Sequence, residues 1–174
     1  MSEQVYLKEM EYDMYHLFFK QYTNDLSLYL DKNDFAEYEY SKERVDQYIL
    51  KQKDKKRIVL AIMYNDTIVG EIKISDIKDK ESASFGITMI NDAYKGKGIG
   101  TKAELLLIDY VFNTLYIPVL YADAIITNVR SQHVLEKVGF VCTHTDDIKK
   151  YYKIEKRWFA VNHLLIFTLS NGFK

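Results

Sequence analysis

The 174-residue chain contains one cysteine and one proline, and it has almost no excess of either charge. The lone cysteine, Cys142, cannot form an internal disulfide, and the companion residues of a zinc site are missing at the usual spacing. Its 24 basic and 25 acidic side chains give a formal charge of -1, without the basic excess typical of nucleic-acid-binding proteins. We therefore expect a reducing compartment, no metal and no direct nucleic-acid partner.

Long apolar runs and low-complexity segments are also missing. No stretch approaches the roughly 18 to 20 consecutive apolar residues that span a bilayer. The first twenty residues contain no basic region followed by an apolar run, as a secretory signal would. With Pro118 as the single proline, no linker is apparent. The sequence thus predicts a cytoplasmic protein without a membrane partner, folded as a single domain over residues 1–174, either monomeric or homodimeric.

The hydrophobic pattern predicts both strands and helices. Residues 57–64 and 67–74 are β-branched and apolar, and only Asn65 and Asp66 separate them, which predicts a β-hairpin. Residues 83–90 form a third predicted strand. The other predicted elements are helices near 14–22, after Ser41, over 101–115 and over 131–137, and strands over 119–127, 140–143 and 163–169. An antiparallel start joined to a strand-helix-strand crossover predicts an α/β fold with a central mixed sheet flanked by helices.

Local signals refine three of these segments. Ser41 is the predicted N-cap of the second helix, while residues 29–40 are aromatic and acidic and remain unassigned. The basic and aromatic stretch over 149–157 favours a solvated hairpin with a packed aromatic face over an RNA-binding surface. Residues predicted to form the buried face of the long helix are Ala103, Leu106, Leu107, Tyr110, Val111 and Leu115.

The segment from Lys95 to Thr101 carries the clearest chemical signal. Gly96, Gly98 and Gly100 alternate ahead of a helix, where they expose successive backbone N–H groups. Those groups and the positive end of the helix dipole form an anion site suited to a pyrophosphate. Lysines at positions 95 and 97 add positive charge. The alternative is a tight entry to the helix, in which glycine merely permits positive φ.

Two other phosphate-binding motifs compete for this segment. A P-loop requires Ser or Thr directly after Gly-Lys, but Lys97 is followed by Gly98. The dinucleotide fingerprint is satisfied by Gly98, Gly100 and Ala103, with Asp123 about twenty residues further on. Its context is wrong, because seven residues separate Ile90 from the first glycine and a hairpin precedes the unit. A nicotinamide-dependent oxidoreductase therefore remains a minor alternative.

In these residues the sequence resembles the GNAT superfamily of acyl-CoA-dependent N-acyltransferases. The cofactor motif of that family, Arg or Gln, two residues, Gly, one residue, Gly or Ala, stands at 95–100 with Lys in its first position. A second family motif, Asn-x-x-Ser followed by Lys-x-Gly-Phe, stands at 128–131 and 137–140. The second motif is most similar to that of the RimJ/RimL-like branch, the N-terminal acetyltransferases of ribosomal proteins.

The resemblance implies an acetyl-CoA-dependent N-acetyltransferase without a metal. The acetyl group would pass directly to a primary amine, either a protein N-terminal α-amine or a small amine such as a polyamine. The strands ending near Ile90 and Thr127 would splay, so that the pantetheine arm lies between them. The residues implied to bind the cofactor are Met89, Ile90, Lys95, Gly96, Lys97, Gly98, Ile99, Gly100, Thr101 and Asn128.

Two positions depart from the family pattern. Leu135 stands where many members carry the tyrosine that protonates the leaving thiolate, and Ser84 stands where several carry a glutamate base. In the RimL-like branch the resemblance implies Ser131 as the acid. Without the glutamate, Glu71 and Asp123 are the nearest carboxylates by topology, and Glu71 is the candidate catalytic base.

Each of these assignments has an alternative. Ser131 could be the N-cap of the short helix, with Asn128 as a turn residue. The carboxylates of Glu71 and Asp123 could be ordinary solvated strand residues. The two departures from the pattern leave open a non-catalytic acyl-CoA-binding regulatory module. We also expect Cys142 to be a small buried hydrophobe.

Overall fold

A computed structural model describes residues 4–157 and residue 159. The predicted strand over 163–169 lies outside these residues. The strands are β1 (Val5–Glu9), β2 (Ile58–Tyr64), β3 (Thr67–Lys78), β4 (Ser82–Met89), β5 (Val119–Ile125), β6 (Val141–Thr145) and β7 (Lys149–Glu155). The helices are α1 (Tyr12–Gln21), α2 (Lys42–Asp54), α3 (Ile99–Asp109) and α4 (Val129–Lys137), and a π-helical turn over Tyr110–Thr114 continues α3.

These strands form one sheet in the order β1-β2-β3-β4-β5-β7-β6. All neighbouring strands are antiparallel except β4 and β5, which are parallel and are connected through α3. The predicted mixed α/β fold is therefore confirmed, whereas the single domain over 1–174 stays a prediction. The described sheet contains one parallel βαβ unit, β4-α3-β5, and it follows an antiparallel meander, whereas a dinucleotide-binding fold is built from successive parallel βαβ units.

The predicted hairpin joins β2 to β3. Asn65 has φ 45° and Asp66 has φ 62°, so both turn residues occupy the left-handed region that a type I′ turn requires. A hydrogen bond of 2.8 Å from the Tyr6 hydroxyl to the Asp66 carboxylate ties this turn to β1, the edge strand that the sequence pattern did not predict. Buried side chains from the helices, such as Phe18 and Leu107, pack with those of the sheet in one core.

The buried face of α3 differs from the predicted one. Leu106 was placed inside by the pattern but is 39% exposed, whereas Glu104 is only 2% exposed. The predicted positions Ala103, Leu107 and Val111 are buried, and Glu104, the neighbour of Ala103 in sequence, is buried as well. An apolar pattern identifies apolar residues that face the core, but it does not reveal a polar residue that is buried beside them.

The C-terminal part of the described chain contains the β6-β7 hairpin predicted from the basic and aromatic stretch. Tyr152 on β7 is 1% exposed and forms its packed aromatic side. The expectation of a buried Cys142 is wrong, because this residue is exposed on the edge strand β6, all of whose residues are exposed.

Candidate active site

The parallel strands β4 and β5 separate partway along their length. Their pairing is limited to Ser82 with Val119, Ala83 with Leu120, and Ser84 with Tyr121. Beyond these three pairs, β4 continues to Met89 and β5 to Ile125 without pairing to each other. The predicted splay of these two strands is confirmed, and it leaves a gap in the centre of the sheet.

The backbone of β4 presents hydrogen-bonding groups to this gap. Ile90 does not contribute, because its N–H donates to Val69 O at 2.9 Å and its carbonyl accepts from Thr23 N at 2.9 Å. In an antiparallel ladder, alternate residues direct their backbone groups to the same neighbour. Ile87 and Met89 therefore direct theirs away from β3 and toward the gap. The resemblance implied that the backbone of Ile90 binds the cofactor, but this backbone is already paired. Ile87, instead of Ile90, directs its backbone groups to the gap.

Two cavities extend along the gap. The first, which we call the loop cavity, has a volume of about 360 Å³ and is lined by the glycine loop, the end of β4, α3 and α4. The second, the strand cavity, has a volume of about 200 Å³ and lies between β4 and β5. Leu28, Ile87, Asn128 and Ser131 line both cavities, so the two spaces adjoin.

The glycine loop borders the loop cavity through Gly96, Gly98, Gly100 and Thr101. Gly96 has φ +74° and Gly98, the N-cap of α3, has φ +76°, so a positive φ is required at both. Gly100 lies within α3 and has no such requirement. At each of these three glycines a Cβ atom would meet no other protein atom within 4 Å. The loop therefore borders open space, as an anion site requires. Gly96 and Gly98 also permit positive φ, which is the role that the alternative interpretation gave to the glycines.

One of the two loop lysines, Lys95, does not supply the free positive charge that the sequence suggested. Lys95 is 10% exposed, and its Nζ lies 2.5 Å from Asp25 Oδ2 and 2.7 Å from Asp92 Oδ1. Burial raises the pKa of Asp25, but hydrogen bonds from Lys95 and Ser27 outweigh it and hold that pKa below its ordinary value. The Nζ of Lys97 lies 5.9 Å from the centroid of the Tyr94 ring.

Other predicted loop residues do not line the cavity. Neither Lys97 nor Ile99 is among the residues around the loop cavity, and Ile99 is 2% exposed within the core. Two cations that the sequence analysis missed, Arg130 and Lys137, do line it from α4. They are separated by seven positions and thus lie on one helix face, which was the only signal available in the sequence.

Asn128 and Ser131 have separate structural roles. The side chain of Asn128 accepts a hydrogen bond of 3.1 Å from Ser131 N, and α4 begins at Val129. The alternative in which Ser131 caps this helix is therefore wrong, since Asn128 is the cap. Among the described residues, none is hydrogen-bonded to the Ser131 hydroxyl, which borders both cavities.

The two candidate carboxylates occupy different surroundings. Glu71 is 2% exposed and accepts hydrogen bonds of 2.8 and 3.0 Å from the Tyr48 hydroxyl, with Lys73 Nζ at 3.2 Å. The solvated alternative is thus wrong for Glu71, but this residue lines neither cavity and its catalytic role stays a prediction. Asp123 lines the strand cavity, is 45% exposed, and lies 2.6 Å from Lys149 Nζ.

Glu104 is the second group that the sequence analysis missed. This carboxyl group lines the loop cavity, and its Oε2 atom is buried without a hydrogen-bond partner. Burial raises the pKa of Glu104 to about 8. A single acidic residue on a largely apolar helix face was the available signal.

Neither a candidate metal centre nor a candidate membrane-spanning helix is present in residues 4–157 and 159. Within that range, no three His, Cys, Asp or Glu side chains are grouped in a way that could hold a metal ion. Nor does any helix there have the length and apolar composition needed to cross a membrane.

Comparison with known proteins agrees with this arrangement. The chain is 28% identical over 151 residues to the probable N-acetyltransferase YjcK of Bacillus subtilis (strain 168), covering 77% of this chain and 81% of that protein. Apo FdhC, a nucleotide-linked sugar GNAT, superimposes with a TM-score of 0.75 at 18% identity, covering 93% of this chain and 92% of that one.

The spermidine N-acetyltransferase from Vibrio cholerae in complex with CoA and spermine has a TM-score of 0.73 at 19% identity, covering 90% of this chain and 98% of that one. At these identities the solved structures show a shared fold. A family model described as an acetyltransferase (GNAT) domain matches residues 5–141. The chain belongs to the GNAT acetyltransferase family, and the expectation that it is an acyltransferase is confirmed.

Proposed function

We propose that this chain transfers an acetyl group from acetyl-CoA directly to a primary amine. The observation that carries the proposal is the pair of adjoining cavities, which runs from the glycine loop into the gap between β4 and β5. By resemblance to the RimJ/RimL-like branch, a protein N-terminal α-amine is the first acceptor class and a small amine or polyamine the second. The cytoplasmic location and the monomeric or homodimeric state belong to the same proposal.

Acetyl-CoA fits the groups along these cavities. Backbone N–H groups at the glycine loop, at the start of α3, suit its pyrophosphate, and Arg130 and Lys137 add positive charge from α4. The backbone groups of Ile87 and Met89 can pair with the amides of the pantetheine arm as a strand would. This arrangement directs the thioester toward the strand cavity and Ser131.

The reaction needs a neutral amine and a proton for the leaving thiolate. A primary amine with a pKa near 10 is mostly protonated at neutral pH, so a base must take its proton before nitrogen attacks the thioester carbonyl. The C–N bond then forms and the C–S bond breaks, and the Ser131 hydroxyl delivers its proton to sulfur. The attacking nitrogen loses its second proton as the amide forms, and this proton restores the Ser131 hydroxyl. Asp123 borders the strand cavity and is better placed than Glu71 to receive the amine proton, directly or through water.

Acidic side chains support a cationic acceptor. The segment between α1 and α2 carries four exposed carboxylates, namely Asp31, Asp34, Glu37 and Glu39. Leu28 of the same segment lines both cavities, so these charges lie on the chain segment that borders the proposed acyl group. The solved spermidine acetyltransferase in complex with CoA and spermine supports a polyamine as the second candidate.

Substitution of Gly100 tests this function. Gly100→Leu directs a large side chain from α3 into open space, and leucine is a better helix former than glycine by roughly 0.5–1 kcal/mol. We expect the free energy of unfolding to be retained or raised, while acetyl-CoA binding measured by calorimetry is lost. Gly100→Ala is the matched control, which we expect to bind, because the family motif accepts alanine there. Gly98 is less suitable, since its φ of +76° strains any side chain.

Turnover distinguishes the enzyme from the regulatory module. Release of free CoA is followed with acetyl-CoA and, in turn, a peptide with a free N-terminus and spermidine. An acyltransferase releases CoA with at least one amine, and Gly100→Leu does not. Binding of acetyl-CoA without release to any amine would support the module, and undiminished binding by Gly100→Leu would show that the loop does not hold the cosubstrate.

A further inference from the structure

We infer that Glu104 is an additional acyl-CoA-binding residue, whose neutral carboxyl group donates a hydrogen bond to an oxygen of the cosubstrate in the loop cavity. This inference rests on the proposed function and deepens it. It assigns a role to the one buried acidic side chain of α3 and predicts how cosubstrate affinity depends on pH.

The position of Glu104 is the first part of the evidence. It lies four residues after Gly100 and three after Thr101, so these three residues share one face of α3. All three line the loop cavity. A ligand bound at the N-terminus of α3 therefore comes within reach of the Glu104 side chain.

The missing partner of Glu104 is the second part. The residue is 2% exposed, and Oε2 is buried without a hydrogen bond. Leaving a buried polar group unpaired destabilises the folded state, so such a group calls for an explanation. Val134 and Lys137 of α4 border the same cavity, but neither forms a hydrogen bond or ion pair with this carboxyl. A ligand that accepts a hydrogen bond would satisfy it.

The ionisation state of Glu104 determines what it can bind. Burial alone raises its pKa to about 8, so the carboxyl is mainly neutral at pH 7 and can donate a proton. A neutral donor suits a pyrophosphate oxygen or an amide carbonyl, whereas an ionised carboxylate would repel a pyrophosphate. Ionisation should therefore weaken binding, and binding should in turn oppose ionisation.

Other titratable groups face the same cavity and must be separated from Glu104. The loop and the segment after α1 contribute Asp25 and Lys95, which are paired with each other. The remaining titratable or charged groups around the cavity are Tyr22, Tyr94, Arg130, His133 and Lys137. Strand β1, which also packs against α3, contributes no residue to the cavity lining. Glu104→Gln removes one titratable group from the cavity and leaves all the other titratable groups in place.

The experiment measures the Kd of acetyl-CoA between pH 7 and pH 9.5 for the wild type and for Glu104→Gln. With a pKa of about 8, the neutral fraction of Glu104 falls from about 0.9 to about 0.03 over this range, so the Kd of the wild type should rise roughly 30-fold more than that of the variant. Glutamine keeps a donor and has the same shape, so the two proteins should bind alike at pH 7. Titration of the ligand and of the other groups is common to both proteins and cancels.

Proton uptake on binding provides a second comparison of the same two proteins. Calorimetry at pH 8.5 in two buffers of different ionisation enthalpy should show that the wild type takes up about three quarters of a proton more than Glu104→Gln. A 30-fold divergence or this difference in uptake supports the inference. Parallel pH profiles with equal uptake would overturn it while leaving the proposed function intact. Failure of the wild type to bind acetyl-CoA at pH 7 would instead refute the proposed function.

Discussion

At the scale of single residues, two neighbouring polar residues at the start of α4 have different roles. Asn128 caps the helix, and Ser131, one turn later, leaves its hydroxyl at the border of the two cavities. The sequence motif contains both residues and could not assign the two roles, because either side chain is a good N-cap. Only the hydrogen bond from Ser131 N to the Asn128 side chain decides between them.

Alanine substitutions at these two positions should therefore change different quantities, kcat at Ser131 and the free energy of unfolding at Asn128. We expect Ser131→Ala to lower kcat at least tenfold, with the free energy of unfolding and the Kd of acetyl-CoA nearly unchanged, since only the proton donor is lost. Asn128→Ala should lower the free energy of unfolding by about 0.5–2 kcal/mol through loss of the cap. Steady-state kinetics and urea unfolding of both variants provide the comparison. Normal turnover by Ser131→Ala would refute the acid role.

At the scale of elements, the segment between α1 and α2 joins both edges of the gap. Thr23 N donates to Ile90 O beside β4, the Thr127 hydroxyl after β5 donates to Ser27 O at 2.8 Å, and Asp25 pairs with Lys95. These contacts hold the acidic segment against the glycine loop and the cavities. The segment between α1 and α2 thus covers both the proposed cosubstrate site and the proposed acceptor site.

Removing one of these contacts should loosen the segment without unfolding the protein. Thr127→Val keeps the side-chain shape but cannot donate to Ser27 O, so we expect faster amide hydrogen exchange over residues 23–30. The unfolding midpoint should change little, because the contact is exposed and contributes about 0.5–1.5 kcal/mol at most. Thr67→Val, at an exposed position on β3, is the control. Equal exchange in wild type and Thr127→Val would show that the other contacts suffice.

The elements also show what the sequence could and could not predict. The β2-β3 hairpin, β4, α3, β5 and α4 were predicted because each is a local apolar pattern bounded by Gly, Asn or Asp. Strand β1 was missed because its five residues include Lys8 and Glu9 and its order comes from pairing with β2, about fifty residues away. Lys95 has one local partner, Asp92, but its pairing with Asp25 could not be predicted because Asp25 lies 70 positions earlier.

At the scale of the whole molecule, the described sheet consists of two parts. Strands β1 to β4 and strands β5 to β7 are joined by only three residue pairs between β4 and β5. A ligand that pairs with the backbone in the gap adds contacts between the two parts. Its binding should therefore raise the stability of the protein as a unit.

Thermal unfolding with different nucleotides tests this coupling. Acetyl-CoA at 100 times its Kd should add about 2.7 kcal/mol to the free energy of unfolding, which for a chain of this size raises Tm by roughly 5–10 °C. NAD and ATP should cause no comparable shift. A shift with NAD alone would contradict the acyltransferase proposal and favour a dinucleotide site.

The gap between β4 and β5 also affects how this sheet meets other chains. The unpaired backbone groups of Ile87 and Met89 are, in effect, a strand edge, and exposed edges are the usual starting points of aggregation between sheets. Here the edge lies inside the molecule, and Leu28 borders the space in front of it. A pantetheine arm, which is a narrow chain with two amides, can pair with such an edge. A ligand bound there would thereby occupy backbone groups that could otherwise pair with a neighbouring chain.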